Sequence, residues 1–264
     1  MNRIDLKFKE LKMQGEKALI PFVTAGDPSL EATVDIVLEM DRRGADVVEI
    51  GIPYSDPLAD GPIIQGSSQR AIEKGAKIKN IMEVVKKIRD KSNVPLVYLV
   101  YYSSIFKYGL EKFISEASTS GIDGIIIPDL PIEERGDIID IAGKYGVYLI
   151  PLVAPTSQKR IKEIAGGGSG FVYCVSKNGV TGVGEQIKTN IEEYMELVGN
   201  YTELPKAIGF GITGPDMARE FKPYCDGIII GSAIIDIIYK CKDEKEAVNK
   251  VGVFISAVKK SLDE

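Results

Sequence analysis

Residues 42–51 read RRGADVVEIG, and the stretch has two near copies, TSGIDGIIIP at 119–128 and PYCDGIIIG at 223–231. Each places an aspartate, Asp46, Asp123 or Asp226, immediately ahead of a short apolar run. Such a run is the pattern of a parallel strand covered on both faces. Five more runs interleave with these three: ALIPF (18–22), LVYLV (96–100), VYLIPLV (147–153), FVYCV (171–175) and KAIGF (206–210). Eight runs in 264 residues leave about 33 residues per unit, room for one strand, one helix and two short loops. The expected fold class is α/β, a (βα)8 TIM barrel with an extra N-terminal helix, forming a single domain over residues 1–264. A doubly wound open sheet is the competing arrangement. No Pro/Ser-rich linker or shift of composition divides the chain.

The spacers carry helix signals. After the first run, Asp27 fits an N-cap with Pro28 at the first helical position, and Leu30, Val34, Val37 and Leu38 then share one face before Gly44. Similar spacing predicts helices over 81–89, 110–118, 133–143, 158–165, 191–198, 215–221 and 245–262, with the extra helix, 3–13, lying across the barrel bottom. The three repeated aspartates fall at strand amino ends, the face that serves stability. AGGGSG (165–170), ahead of its strand, reads as a flexible connection.

Composition removes much chemistry. There is no histidine, so an imidazole base, a Ser-His or Cys-His pair and a His-ligated metal are all excluded. Acid and base work must fall to Asp, Glu, Lys, Tyr or Cys. Lys and Arg total 33 against 38 Asp and Glu, a net charge of −5, and the scattered cations form no nucleic-acid groove. Three cysteines without metal-ligand spacing read as reduced thiols. The charged amino terminus lacks an apolar signal core, and no segment is long and apolar enough to span a bilayer, so a cytoplasmic, membrane-free protein is expected.

One residue breaks its run: Glu49, inside VVEI. Alternation puts Val47 and Glu49 on one side of the strand and Val48 and Ile50 on the other, aiming Glu49 into a barrel mouth. Apolar walls there would raise its pKa and ready it as an acid or base. The alternative, a structural ion pair, needs a strand-end cation at the mouth, and the only cation in the eight runs, Lys206, stands at the start of its run instead. The following loop, GIPYSDPLADGP (51–62), adds Asp56 and Asp60 among turn residues. Glycines cluster after the last three runs, in NGVTGVGE (178–185), GFGITG (209–214) and GIIIGSAI (227–234), where barrels commonly bind phosphate through backbone N–H groups and a helix amino terminus.

With PFVTAGDPS (21–29), EIGIPYSDPLADGPIIQ (49–65), PDLPIEE (128–134), GVTG (179–182), GFGI (209–212) and GSAI (231–234), the chain resembles the tryptophan synthase alpha subunit family over nearly its whole length. The EIGIPYSDPLADGP stretch is the specific signature. The resemblance implies retro-aldol cleavage of indole-3-glycerol phosphate to indole and glyceraldehyde 3-phosphate, with Glu49 as general acid/base and Asp60 as second catalytic acid. It implies Phe22 and Phe210 around the indole with Tyr173 nearby, and Gly182, Gly211, Gly231 and Ser232 at the phosphate. Thr181 matches the loop residue that meets Asp60 on closure. No metal or cofactor is implied in this chain; pyridoxal phosphate is expected in a partner beta subunit, in an α2β2 assembly that passes indole internally. The chain departs from the family's Tyr-x-Asn after the third strand: it reads VYYSSIF, with Ser103 where Asn is usual, in a segment that faces the partner in the family. Two other readings remain: another phosphate-binding barrel, such as a sugar-phosphate isomerase or epimerase, and a non-catalytic barrel that activates a partner.

Overall fold

The computed structural model describes residues 1–130, 132–155, 158–175, 191–209 and 211–264. Its strands are β1 (Ala18–Thr24), β2 (Val48–Gly51), β3 (Leu96–Leu99), β4 (Gly124–Ile126), β5 (Tyr148–Leu149), β6 (Leu152–Val153), β7 (Val172–Val175), β8 (Lys206–Gly209) and β9 (Gly227–Ile230). They form one parallel sheet in the order β5-β4-β3-β2-β1-β9-β8-β7-β6. Every expected run is a strand, but the fifth, 147–153, is split into β5 and β6. Pro151 has no N–H to offer a ladder. Ile150 N donates to Ile125 O at 2.9 Å and Tyr173 N to Pro151 O at 2.8 Å, so this one stretch bonds both neighbours and closes the curl. The result is a TIM-barrel-like arrangement, as expected from eight evenly spaced units.

Inside the curl, Ile20, Val47, Val97, Ile126, Ala207 and Ile229 pack together, and the helix Arg3–Gln14 inserts Ile4, Phe8 and Leu11 beneath them. Phe8 lies 5.6 Å from the Phe171 ring, which places the extra helix across the bottom as expected. Val48 and Ile50 belong instead to the core between strands and helices. The alternation that aims Val47 and Glu49 inward is therefore observed.

The repeated aspartates each tie a strand's start to the strand before it. Asp46 Oδ2 accepts from Leu19 N, Asp123 Oδ2 from Leu96 N and Asp226 Oδ2 from Lys206 N, each at 2.9 Å. Asp123 also takes Arg3 at 2.9 Å and Arg89 at 2.7 Å, and Asp46 takes Lys259 at 3.1 Å. Their structural role is borne out.

Two local expectations are corrected, and one helix is added to those expected. The helix after β1 is Leu30–Arg42, capped by Ser29, whose Oγ accepts from Ala32 N at 3.0 Å. Asp27 accepts instead from Arg70 at 3.0 and 2.6 Å, which removes it from capping. The glycine stretch 165–170 is loose only in part: Gly166 and Gly167 are exposed, but a Cβ on Gly168 would stand 2.3 Å from Pro151 and one on Gly170 2.9 Å from Ile150. Finally, Pro62–Glu73 is a helix that hydrophobic spacing does not reveal, because its buried face is Ser67, Ser68 and Ala71. Thr24 Oγ1 and Ser67 Oγ meet there at 2.6 Å. Among the described residues no helix is long and apolar enough to cross a membrane.

Candidate active site

Above the inner apolar layer, at the carboxyl ends of the strands, lies a cavity of about 390 Å³. Glu49 reaches it from β2, in register with Phe22 of β1 and Val97 of β3. The residue is 1% exposed, and among the described residues Oε2 has no hydrogen-bond partner. No ion pair to Glu49 occurs among the described residues, so the structural-pair explanation for it fails there. Burial, with Asp60's charge second, pushes its pKa up to about 8.

Asp60 enters from the loop that leads into Pro62–Glu73. Its amide donates to Pro57 O at 3.0 Å, and Gln65 Nε2 donates to its carbonyl at 2.8 Å, so the loop is held at both sides. Burial raises the Asp60 pKa to about 6, against the Tyr101 hydroxyl, which lowers it by hydrogen bonding. At neutral pH the pair therefore holds Glu49 mainly as the acid and Asp60 mainly as the carboxylate. Two carboxyls pushed to different pKa values can divide donor and acceptor work in one cavity.

The aromatic walls are set by glycines. A Cβ on Gly51 would fall 2.6 Å from the Phe22 ring, and one on Gly209 would fall 2.7 Å from the Tyr173 ring. Both rings thus approach backbone that has no side chain to displace them. The cavity is also lined by Gly211, in the left-handed region at φ 65°, and by Gly231 and Ser232, where the helix Ser232–Lys240 begins. Helix amino-terminal amides lack intrahelical acceptors, so this end suits an oxyanion.

Glu49, Asp60, Phe22, Tyr173, Gly211, Gly231 and Ser232 thus line one cavity. Thr181, Gly182 and Phe210 lie outside the described residues. Tyr101 is a site residue that the motifs did not single out. Its hydroxyl accepts from Ala59 N at 3.1 Å, and its ring stacks on Tyr54 at 4.9 Å. The signal was available: Val97, Leu99 and Tyr101 continue the inward alternation past the end of β3.

The sequence profile described as "Tryptophan synthase alpha chain" matches residues 8–263. The chain belongs to the tryptophan synthase alpha chain family. It is 82% identical to the alpha chain of Clostridium kluyveri over the full length of both, and 62% identical to that of a Thermoanaerobacter species over 99% of this chain and 100% of the relative. Among solved structures it superposes on the alpha subunit from Legionella pneumophila with a TM-score of 0.92 at 33% identity, covering 100% of this chain and 99% of that one. A chain of Mycobacterium tuberculosis tryptophan synthase gives 0.90 at 26% identity, with the same coverages.

The reaction is accordingly the family's: indole-3-glycerol phosphate is cleaved to indole and glyceraldehyde 3-phosphate, a carbon–carbon lyase step of tryptophan biosynthesis. The alpha chain needs no cofactor of its own, and its family implies a beta partner. The alternatives of a sugar-phosphate isomerase and of a barrel without catalysis are set aside by the same matches.

Proposed function

We propose that Glu49 is the proton shuttle of the cleavage and Asp60 its electrostatic partner. Protonated Glu49 gives its proton to indole C3, and the resulting carboxylate takes the proton of the glycerol hydroxyl as the carbon–carbon bond breaks. The Asp60 carboxylate accepts the indole N–H and stabilises the positive charge that builds on the ring nitrogen. Phe22 and Tyr173 hold the indole, while Gly211, Gly231 and Ser232 receive the phosphate. Phe210, Gly182 and Thr181 join them by family resemblance. The observation that carries this reading is a buried carboxyl, one oxygen of which has no partner among the described residues, in the same cavity as a second carboxyl, burial pushing the two to about 8 and about 6.

We further propose that the chain acts in the cytoplasm as a single barrel domain and docks a pyridoxal-phosphate beta subunit in an α2β2 assembly. Support comes from the catalytic face, where Leu58 is 81% and Phe106 72% exposed. These two belong to segments joined by Ser103, which donates to the Tyr54 hydroxyl at 2.8 Å.

The test is indole release by the purified chain, with and without a beta subunit, beside Glu49→Gln. Expected are turnover that rises with the partner and a loss of about 10²–10⁴-fold in the variant. Full activity in Glu49→Gln would remove the proton-transfer role.

A further inference from the structure

The chain has eight arginines, all of them described. Six form ion pairs: Arg3 and Arg89 with Asp123, Arg42 and Arg43 with Glu39, Arg70 with Asp27, and Arg219 with Asp216 and Glu264. The remaining two, Arg135 and Arg160, have neither a hydrogen bond nor an ion pair among the described residues. Both line the same cavity, a space of about 280 Å³ near the carboxyl ends of β4, β5 and β6. It is separate from the active cavity but shares Pro128 and Leu152 with it as common wall.

Arg135 is half-buried at the start of the helix Arg135–Lys144, and that burial alone lowers its pKa, with no carboxylate acting to restore it. Withdrawing a guanidinium from water without an anion is unfavourable, and elsewhere in this fold each such group has a carboxylate. The partner missing here has room inside the cavity. Two guanidinia share the lining with one carboxylate, Glu133, which is exposed and forms no ion pair among the described residues. The local charge is therefore a single positive one, which matches a monoanion better than a phosphate dianion. The rest of the lining, with Ile127, Leu149, Leu152 and Ile164, is aliphatic.

We propose that this cavity is a second ligand site, taking a small monocarboxylate with a compact apolar body, its carboxylate held by Arg135 and Arg160. Guanidinium forks suit the planar carboxylate, and the aliphatic side chains cover the body. The site is independent of the cleavage chemistry, since neither arginine lines the active cavity.

Benzoate is the probe, titrated calorimetrically into the full-length chain at neutral pH and low salt, beside its neutral isostere benzyl alcohol. Saturable one-site binding is expected with a Kd of about 1 mM. Arg135→Gln and Arg160→Gln should each weaken it about tenfold, while both variants release indole at the unaltered rate, which also establishes that they are folded. Arg160 is exposed, so its variant stands even if Arg135→Gln folds poorly. The proposal is overturned if benzoate shows no saturable binding, if benzyl alcohol binds equally well, or if Arg160→Gln leaves benzoate affinity unchanged. Inorganic phosphate binding more tightly than benzoate would overturn the choice of a monocarboxylate.

Discussion

The state of Glu49 should be readable from stability alone, without substrate. In the unfolded chain the group ionises near its ordinary 4.5, whereas in the fold burial keeps it protonated up to about 8. Between those values the native state holds a proton that the unfolded chain has released. Stability is thus full below about 4.5 and declines as pH rises through 8, by about 1.4 kcal/mol per pH unit. At pH 7 the accumulated loss is about 3 kcal/mol, and above pH 8 it levels at about 5 kcal/mol, a large share of a typical domain's total. Glu49→Gln removes the titration. Its buried amide adds an offset, but one that does not vary with pH. Urea unfolding of both proteins at whole pH units from 4 to 9 should therefore give a stability difference that climbs in favour of the variant with that slope, then flattens. A difference that stays constant across the range would refute the argument, because it would mean that Glu49 ionises alike in both states. The same variant is expected to lose activity, so the carboxylate would be kept for chemistry at a cost in stability.

Other outcomes follow from individual contacts. The pH profile of kcat/KM should be bell-shaped, needing Asp60 ionised above about 6 and Glu49 protonated below about 8. Tyr101→Phe removes the hydroxyl that lowers the Asp60 pKa, so the acid limb should move to higher pH; steady-state rates between pH 5 and 8 would show an unmoved limb if the contact were idle. Gly51→Ala puts a methyl 2.6 Å from the Phe22 ring, and indole release should fall with a raised KM as the ring is displaced; unchanged kinetics would mean that the ring has free room. Asp123→Asn breaks the pairs with Arg3 and Arg89 at the barrel bottom and should destabilise by about 3 kcal/mol in chemical unfolding, with turnover per folded molecule preserved.

The eight apolar runs, the inward alternation of Val47 and Glu49 and the strand-start aspartates were all legible in sequence. Each follows from a short-range rule: a strand repeats every two residues, and a run covered on both faces must be apolar throughout. The Glu49 signal was strong for the same reason, as a single carboxylate in such a run has no local excuse. Other features depended on which segments meet. Ser29 caps its helix because Arg70, 43 positions beyond Asp27, takes that aspartate. The helix Pro62–Glu73 buries serines, one of which meets Thr24 of β1, so no apolar stripe announced it. Pro151 divides a run that looks continuous, because a ladder hydrogen bond needs the N–H that proline lacks.

The sequence by itself determined the barrel's period, the absence of imidazole chemistry and the family. Tertiary structure alone decided the electrostatics: that Glu49 forms no ion pair among the described residues, that Tyr101 bears on Asp60, and that two arginines share one cavity with a single carboxylate, Glu133. The physical reason is range. Backbone periodicity acts over a few residues and is written along the chain, whereas burial and charge pairing depend on groups far apart in sequence that folding brings within a few ångströms.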